Sequence, residues 1–223
     1  MSHRYSDNGV IFDMDGVLAD TGEAHFQSWQ TVAERWGVVV TRRVFQETFG
    51  RPNHQIIPII FGRAVPEAEL REVDRVKEEA FRRIAGDSIV PLPGVVELVD
   101  GLWESGFGLA VGSSGPRENI RLVLDALGVA ARFGGIVSGW DVARGKPAPD
   151  VFLAAAAQIR RSPTRCLVIE DVPAGIQAAK AAGMVCVAVT TTHPAAALGA
   201  ADWVTDSLAD LNVAEVAELL GDG

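Results

Sequence analysis

The chain has 223 residues, 48% hydrophobic and 22% charged, the mixture of a folded protein with room for one ordinary core and a sizeable insertion. Its formal net charge of −9 excludes a non-specific grip on nucleic acid, which needs clustered Lys and Arg, but not a small phosphorylated ligand held by local charge. No apolar run approaches the roughly 20 residues that span a bilayer, and MSHRYSDNG lacks the apolar core of a signal peptide, so a cytoplasmic protein without a membrane partner is expected.

Taken in order, Val10-Ile11-Phe12 predicts a buried strand ending at Asp13 and Asp15, with Gly16 directly after. Two carboxylates at the mouth of a buried strand are costly unless a cation or a chemical role compensates. Phe26, Trp29, Val32, Ala33 and Trp36 recur at helical spacing and predict a helix over 23–36, ended by Gly37. The stretch 38–62 is less regular, and Pro58 argues against one uninterrupted helix there. A third helix is predicted from about Pro66 to Ala85, its charge run read mostly as a solvated face. Gly86-Asp87-Ser88 and Pro91-Leu92-Pro93-Gly94 then mark a break.

Beyond it, helices alternate with apolar runs. Helices over 94–105, 116–127, 149–159 and 173–182 precede strands at 107–111, 136–138, 166–169 and 185–189. A weak strand at 202–204 and a helix over 213–220 close the chain. Runs apolar on both faces predict an α/β fold: a Rossmann-like parallel sheet with helices on both faces. Residues 1–20 and 89–223 form this core, and 21–88 form an inserted α-helical domain. Cys166 and Cys186 lie in apolar runs without metal spacing and are expected to be reduced core residues.

Ligands of open parallel sheets bind beyond the carboxyl ends of the strands. Those ends carry Asp13-Met14-Asp15-Gly16, Gly112-Ser113-Ser114-Gly115, the loop bearing Lys146, Glu170-Asp171 and Thr190-Thr191-Thr192. A calcium loop does not fit the first, because Val17 and Leu18 stand where it needs an oxygen ligand and a glycine. The Gly-Ser-Ser-Gly turn is no dinucleotide fingerprint, for it lacks the third glycine. Glu170-Asp171 can cap the following helix, and Asp171 can do so while binding a metal. As a set, Asp13, Asp15 and Asp171 suit a hard oxygen cage for Mg²⁺, while Ser113 and Lys146 suit phosphate oxygens. A carboxylate can itself attack phosphorus.

These motifs, DMDGVLADT at 13–21, VGSSG at 111–115, GKPAPDVF at 145–152 and VIEDVPAGIQAAKAAG at 168–183, resemble those of the haloacid dehalogenase superfamily of phosphohydrolases. The insertion resembles the helical cap of the subgroup containing β-phosphoglucomutase and small-metabolite phosphatases. The resemblance implies Asp13 as nucleophile and Asp15 as general acid and then base. It implies Mg²⁺ held by the Asp13 and Asp171 side chains and the Asp15 carbonyl, with Glu170 nearby, and the phosphoryl group held by Ser113, Ser114 and Lys146. It gives His25 a hinge or proton-relay role and sets Lys77 facing the substrate. The mutase's phosphate-gripping arginine has Asn53 in its place, and its Lys-Asn pair is Pro116-Arg117 here, although Arg51 or Arg117 can compensate. A Mg²⁺-dependent phosphatase of a small phosphorylated metabolite is therefore preferred over a mutase or a non-catalytic phosphate-binding protein. Arg51, Asn53, His54 and Lys77 are the residues expected to select the substrate. A monomer that opens and closes on hinges near 17–22 and 86–92 is expected.

Overall fold

The computed structural model describes residues 5–221. Its six-stranded sheet is parallel throughout, with strand order β3-β2-β1-β4-β5-β6. In the chain these are β1 (Gly9–Phe12), β2 (Gly108–Gly112), β3 (Gly135–Val137), β4 (Cys166–Glu170), β5 (Val185–Val189) and β6 (Trp203–Thr205). The apolar runs are continuous because the sheet is covered twice. Val10, Phe12, Leu109, Val111, Leu167 and Ile169 pack to one side, with α5 (Val95–Glu104), α6 (Arg117–Ala126) and α9 (Val213–Leu219). Ile11, Ala110, Cys166, Val168 and Cys186 face the other, with α7 (Asp150–Gln158) and α8 (Pro173–Ala181). Alternation along each strand thus fills two apolar layers. Both cysteines are free and buried.

Between β1 and β2 the chain forms α1 (Gly22–Trp36), α2 (Arg42–Thr48), α3 (Asn53–Phe61) and α4 (Glu67–Ala85). They build a third apolar cluster from Trp29, Val32, Ile56, Ile57 and Val73, with Phe45 and Leu70 packed against it. The stretch 38–62 is interrupted as expected, but the break falls at Phe49–Pro52, and Pro58 lies inside α3. Pro58 leaves the carbonyl four residues back, that of His54, without its helical partner. His54 is exposed, so water can serve that group, while Ile56 and Ile57 anchor the helix. The charge run on α4 is solvated on Arg71, Arg75 and Glu79 but not at Asp74, Lys77 and Glu78, which are buried. These three lie within one turn and turn toward the site instead. Among the described residues no helix is long and apolar enough to cross a membrane.

The two connections to the helical segment touch one another. Leu92 donates its N–H to Leu18 O at 3.2 Å, and Ala19 bridges Pro91. Val17, Leu18 and Ala19 are fully buried in the core cluster.

Candidate active site

Strand register creates the site. Phe12 is level with Val111 of β2 on one side and with Ile169 of β4 on the other. The residues just beyond these three therefore emerge together: Asp13, then Gly112-Ser113, then Glu170-Asp171. Strand order reverses at β1, which opens the crevice where such sheets bind ligands.

Asp13, Glu170 and Asp171 converge, each offering an oxygen within 4.8 Å of the others. Lys146 reaches them from the β3–α7 loop. Its Nζ donates to Asp13 Oδ1 and to Glu170 Oε1, both at 2.6 Å, and lies 4.8 Å from the centre of the Phe152 ring. One cation among three buried carboxylates leaves excess negative charge. Burial, outweighing the attraction of Lys146 and reinforced by Glu170 and Asp15, pushes the Asp13 carboxyl up to about 7. Burial and the charges of Glu170 and Asp13 likewise raise Asp171 well above the ordinary range. Lys146 is raised: burial opposes its charge, but the two carboxylates outweigh that cost.

Each carboxylate is aimed by its neighbours. Glu170 Oε2 accepts from the N–H groups of Asp171 and Val172, at 2.9 and 3.1 Å. Glu170, not Asp171, thus serves the backbone leading into α8, and both its oxygens are engaged. Thr192 Oγ1 donates to Asp171 Oδ2 at 2.6 Å. Asp171 Oδ1 is buried with no hydrogen-bond partner among the described residues. An orphaned oxygen in a three-carboxylate cluster fits a hard divalent cation.

Two glycines make room. Gly16 adopts φ +77°, and a Cβ there would meet Asp171 Oδ2 at 2.1 Å. A Cβ on Gly175 would meet Glu170 Oε1 at 1.7 Å. Gly175→Ala is expected to cost about 1–3 kcal/mol of stability by overpacking and to displace Glu170 from Lys146. Urea unfolding at matched pH checks this, and an unchanged midpoint would contradict it.

Asp15 belongs to a second network. Its Oδ1 accepts from Thr21 Oγ1 at 2.5 Å and lies 3.0 Å from His25 Nε2. Burial alone would raise Asp15, but the charge and hydrogen bond of His25, with Thr21, hold it below the usual carboxylate range. His25 stacks on Phe81 at 4.0 Å, and its Nδ1 lies 2.8 Å from Lys77 Nζ. Lys77 and Asp15 thus meet opposite nitrogens of the His25 ring, a chain along which a proton can pass. Lys77 also donates to Glu78 Oε1 at 2.8 Å. Glu78 then joins the helical segment to the α/β core, accepting at Oε2 from Asn119 of α6 at 2.5 Å, while Arg82 donates to Asn119 Oδ1 at 3.0 Å.

Two spaces that share lining residues adjoin these side chains. A void of about 20 Å³ is lined by Asp13, Asp15, Ser113, Ser114, Lys146 and Asp171. Beyond it a cavity of about 630 Å³ opens between the helical segment and the sheet. Asp15 and Ser114 line both spaces, whereas Asp13 lines the small one alone. Ser113 is buried, its Oγ accepting from Gly115 N at 3.1 Å. Ser114 Oγ is buried without a partner among the described residues, as an anion-binding hydroxyl would be. His25, Arg51, Asn53, His54 and Lys77 all line the larger cavity.

The strand-end and helical-segment site residues singled out in the sequence therefore fall in or beside the crevice, whereas Arg117, offered as a substitute for the mutase pair, lines neither space and pairs with Asp141 at 2.7 Å. Sequence reasoning did not assign Thr21, Asp74, Glu78, Arg82, Asn119 or Thr192. Thr21 and Thr192 stood in motifs already marked, at the end of the first and in the hydroxyl triplet after β5. Asp74, Glu78 and Arg82 were hidden in a charge run, and Asn119 carried no signal of its own.

Fold and site together define a phosphoryl-group enzyme of the haloacid dehalogenase type. The chain belongs to the haloacid dehalogenase-like hydrolase family, whose pattern matches residues 10–189. It is 35% identical to the fructose-1-phosphate phosphatase YqaB of Escherichia coli over 184 residues, 82% of this chain and 96% of that protein. It is also 35% identical to the β-phosphoglucomutase of Bacillus subtilis, over 92% of this chain and 91% of that protein. Among solved structures, CbbY from Rhodobacter sphaeroides in complex with xylulose-(1,5)bisphosphate superposes with a TM-score of 0.86 at 25% identity. That match covers 94% of this chain and 98% of CbbY.

Proposed function

We propose that this chain is a Mg²⁺-dependent phosphatase that hydrolyses a small phosphorylated metabolite, a sugar phosphate or similar monoester, through an aspartyl-phosphate on Asp13. The observation that carries the reading is the place of Asp15 at the junction of the two spaces. A phosphoryl group against Asp13, Ser113, Ser114 and Lys146 has its ester oxygen beside Asp15 and its leaving group in the larger cavity. Asp13 Oδ1 is taken by Lys146, so Oδ2 is the oxygen free to attack phosphorus. Asp15 gives a proton to the departing alkoxide and takes one from the water that then attacks the phospho-aspartate. Asp15 is held as a carboxylate, the form the second half needs, and His25 is placed to relay the proton for the first, taking one from the Lys77 ammonium at Nδ1 as it passes one to Asp15 from Nε2. Asp13 and Asp171 are the side chains for Mg²⁺, with the Asp15 carbonyl as a further ligand and Glu170 acting from nearby. Bound there, Mg²⁺ supplies charge neutralisation between the carboxylates and the incoming phosphate.

The helical segment, residues 21–88, acts in this reading as a cap over the core, 1–20 and 89–223. Because Val17–Ala19 are packed into the core, the first hinge narrows to about Asp20–Gly22. Small-angle scattering with and without a phosphate analogue is expected to show compaction on binding, and identical profiles would contradict it.

The decisive assay is phosphate release from a panel of phosphorylated metabolites with Mg²⁺ and with EDTA. Release that depends on Mg²⁺ is expected, and release unaffected by EDTA would overturn the reading. Metal binding also has a pH signature. Folding raises the Asp13 carboxyl from 3.8 to about 7, so the folded chain holds that proton more tightly than the unfolded one. The metal-free protein therefore loses stability as pH climbs through this window, because the charged form is disfavoured only when folded. A cation reverses that preference. Added Mg²⁺ is expected to raise the melting temperature more at pH 8 than at pH 5, and an equal or opposite pattern would contradict the metal assignment.

A further inference from the structure

The larger cavity has the size of a small-ligand site, and its charges are unevenly satisfied. Arg71 is paired with Glu67 at 3.1 Å, and Lys77 is held between His25 and Glu78. Asp74 is different. It is 8% exposed, lies on α4 beside the cavity, and accepts from Asn53 Nδ2 at Oδ1, at 2.8 Å. Its Oδ2 accepts no hydrogen bond among the described residues. Asn53 has little more to give, because the same Nδ2 serves Glu78 Oε1 at 2.6 Å. A largely buried carboxylate without a direct ion pair is costly unless a donor meets it. Burial, and beyond it the charge of Glu78, keep the Asp74 carboxyl above its ordinary range despite Asn53 and Lys77. The same cavity is also lined by Trp29, Phe45, Phe49 and Trp140, aromatic surface suited to the C–H face of a ring.

We propose that Asp74 is a specificity-determining residue that receives an amine or hydroxyl donor of the leaving group and disfavours substrates with a second phosphate there. This rests on the phosphatase reading and narrows it. A second phosphate in the cavity would place a dianion near Asp74 and Glu78. Arg51, which opposes it from the loop between α2 and α3, is exposed to solvent, where a single ion pair is weak.

The test measures kcat and KM for the wild type and Asp74→Asn, with Mg²⁺, on four substrates. Glucose 6-phosphate, glucosamine 6-phosphate and glucose 1,6-bisphosphate share one skeleton, and methyl phosphate reaches the nucleophile without touching Asp74. The wild type is expected to turn over glucosamine 6-phosphate at least as well as glucose 6-phosphate, and both at least about 30-fold better in kcat/KM than the bisphosphate. Asp74→Asn is expected to lower kcat/KM for glucosamine 6-phosphate by about 10–100-fold, mainly through KM. It is expected to improve the bisphosphate and to leave methyl phosphate unchanged. A wild type that hydrolyses the bisphosphate as well as the monophosphates overturns the proposal, and this holds even if the variant folds poorly. An equal loss on all four substrates, methyl phosphate included, overturns it in favour of a structural role. Hydrolysis of the monoesters without this ranking defeats the proposal alone, whereas no turnover of any of the four defeats the phosphatase reading together with it.

Discussion

Asp13→Asn is expected to lower phosphate release by at least about 10⁴-fold, the usual scale for loss of a nucleophile. The same change is expected to leave the metal-free protein no less stable at pH 8. The amide keeps the shape of the carboxylate but cannot form the phospho-enzyme. Its effect on stability follows from crowding. Asp13 shares a buried crevice with Glu170 and Asp171, and its carboxyl rises to about 7 even with Lys146 at 2.6 Å. Above that pH the ionised side chain opposes folding, and a neutral one relieves the repulsion. Phosphate release and thermal melting on the same preparation check both halves. A variant that keeps a tenth of wild-type activity would remove Asp13 from the mechanism, and one that melts far below the wild type would contradict the electrostatic account.

Lys146→Met is expected to act in the opposite sense on stability and in the same sense on activity. Lys146 is 4% exposed, and its ammonium is the bridge between Asp13 and Glu170. Removing one partner of a buried ion pair costs about 3–5 kcal/mol, because the remaining charges are left uncompensated. The methionine can fill the space beside Phe152 but cannot neutralise the carboxylates or hold a phosphoryl oxygen. A loss of about 10³-fold in kcat/KM is expected alongside lower stability. Mg²⁺ is expected to restore part of the stability and little of the activity. Denaturant melts with and without Mg²⁺ separate the two effects, and a stable, active variant would contradict the role given to Lys146.

Much of the fold, and the convergence of the strand-end residues, was legible in the sequence, for a physical reason. A strand covered on both faces needs an unbroken apolar run, so β1, β2, β4 and β5 stand out from their surroundings. A polar residue ending such a run has no packing reason to be there, which singles out Asp13, Ser113, Glu170 and Asp171. Parallel register then brings them together without any further information.

The helical segment was less legible because its polar residues owe their environment to distant partners. Glu78 looks like one more charge on a solvated helix until Asn119, 41 residues away, is seen donating to it. Asp74 is hidden in the same way behind Asn53. Pro58 rightly weighed against one uninterrupted helix over 38–62, but the break falls elsewhere, and at Pro58 itself the burial of Ile56 and Ile57 prevails over one missing hydrogen bond. The capping role offered to Glu170 and Asp171 is filled by neither, because Glu170 folds back onto the N–H groups of Asp171 and Val172, which precede α8, and no side chain caps the helix. A sequence pattern marks that a carboxylate lies at a strand end, but side-chain direction decides which group it meets.

The central claim is that phosphate leaves as inorganic phosphate after its transfer to Asp13, and it is tested most directly by following products. β-Glucose 1-phosphate and fructose 1-phosphate are incubated with enzyme and Mg²⁺ and monitored by ³¹P NMR. The predicted result is growth of the inorganic phosphate signal without glucose 6-phosphate, and its loss in Asp13→Asn. Glucose 6-phosphate appearing without inorganic phosphate would contradict the account and identify a mutase built on the same crevice.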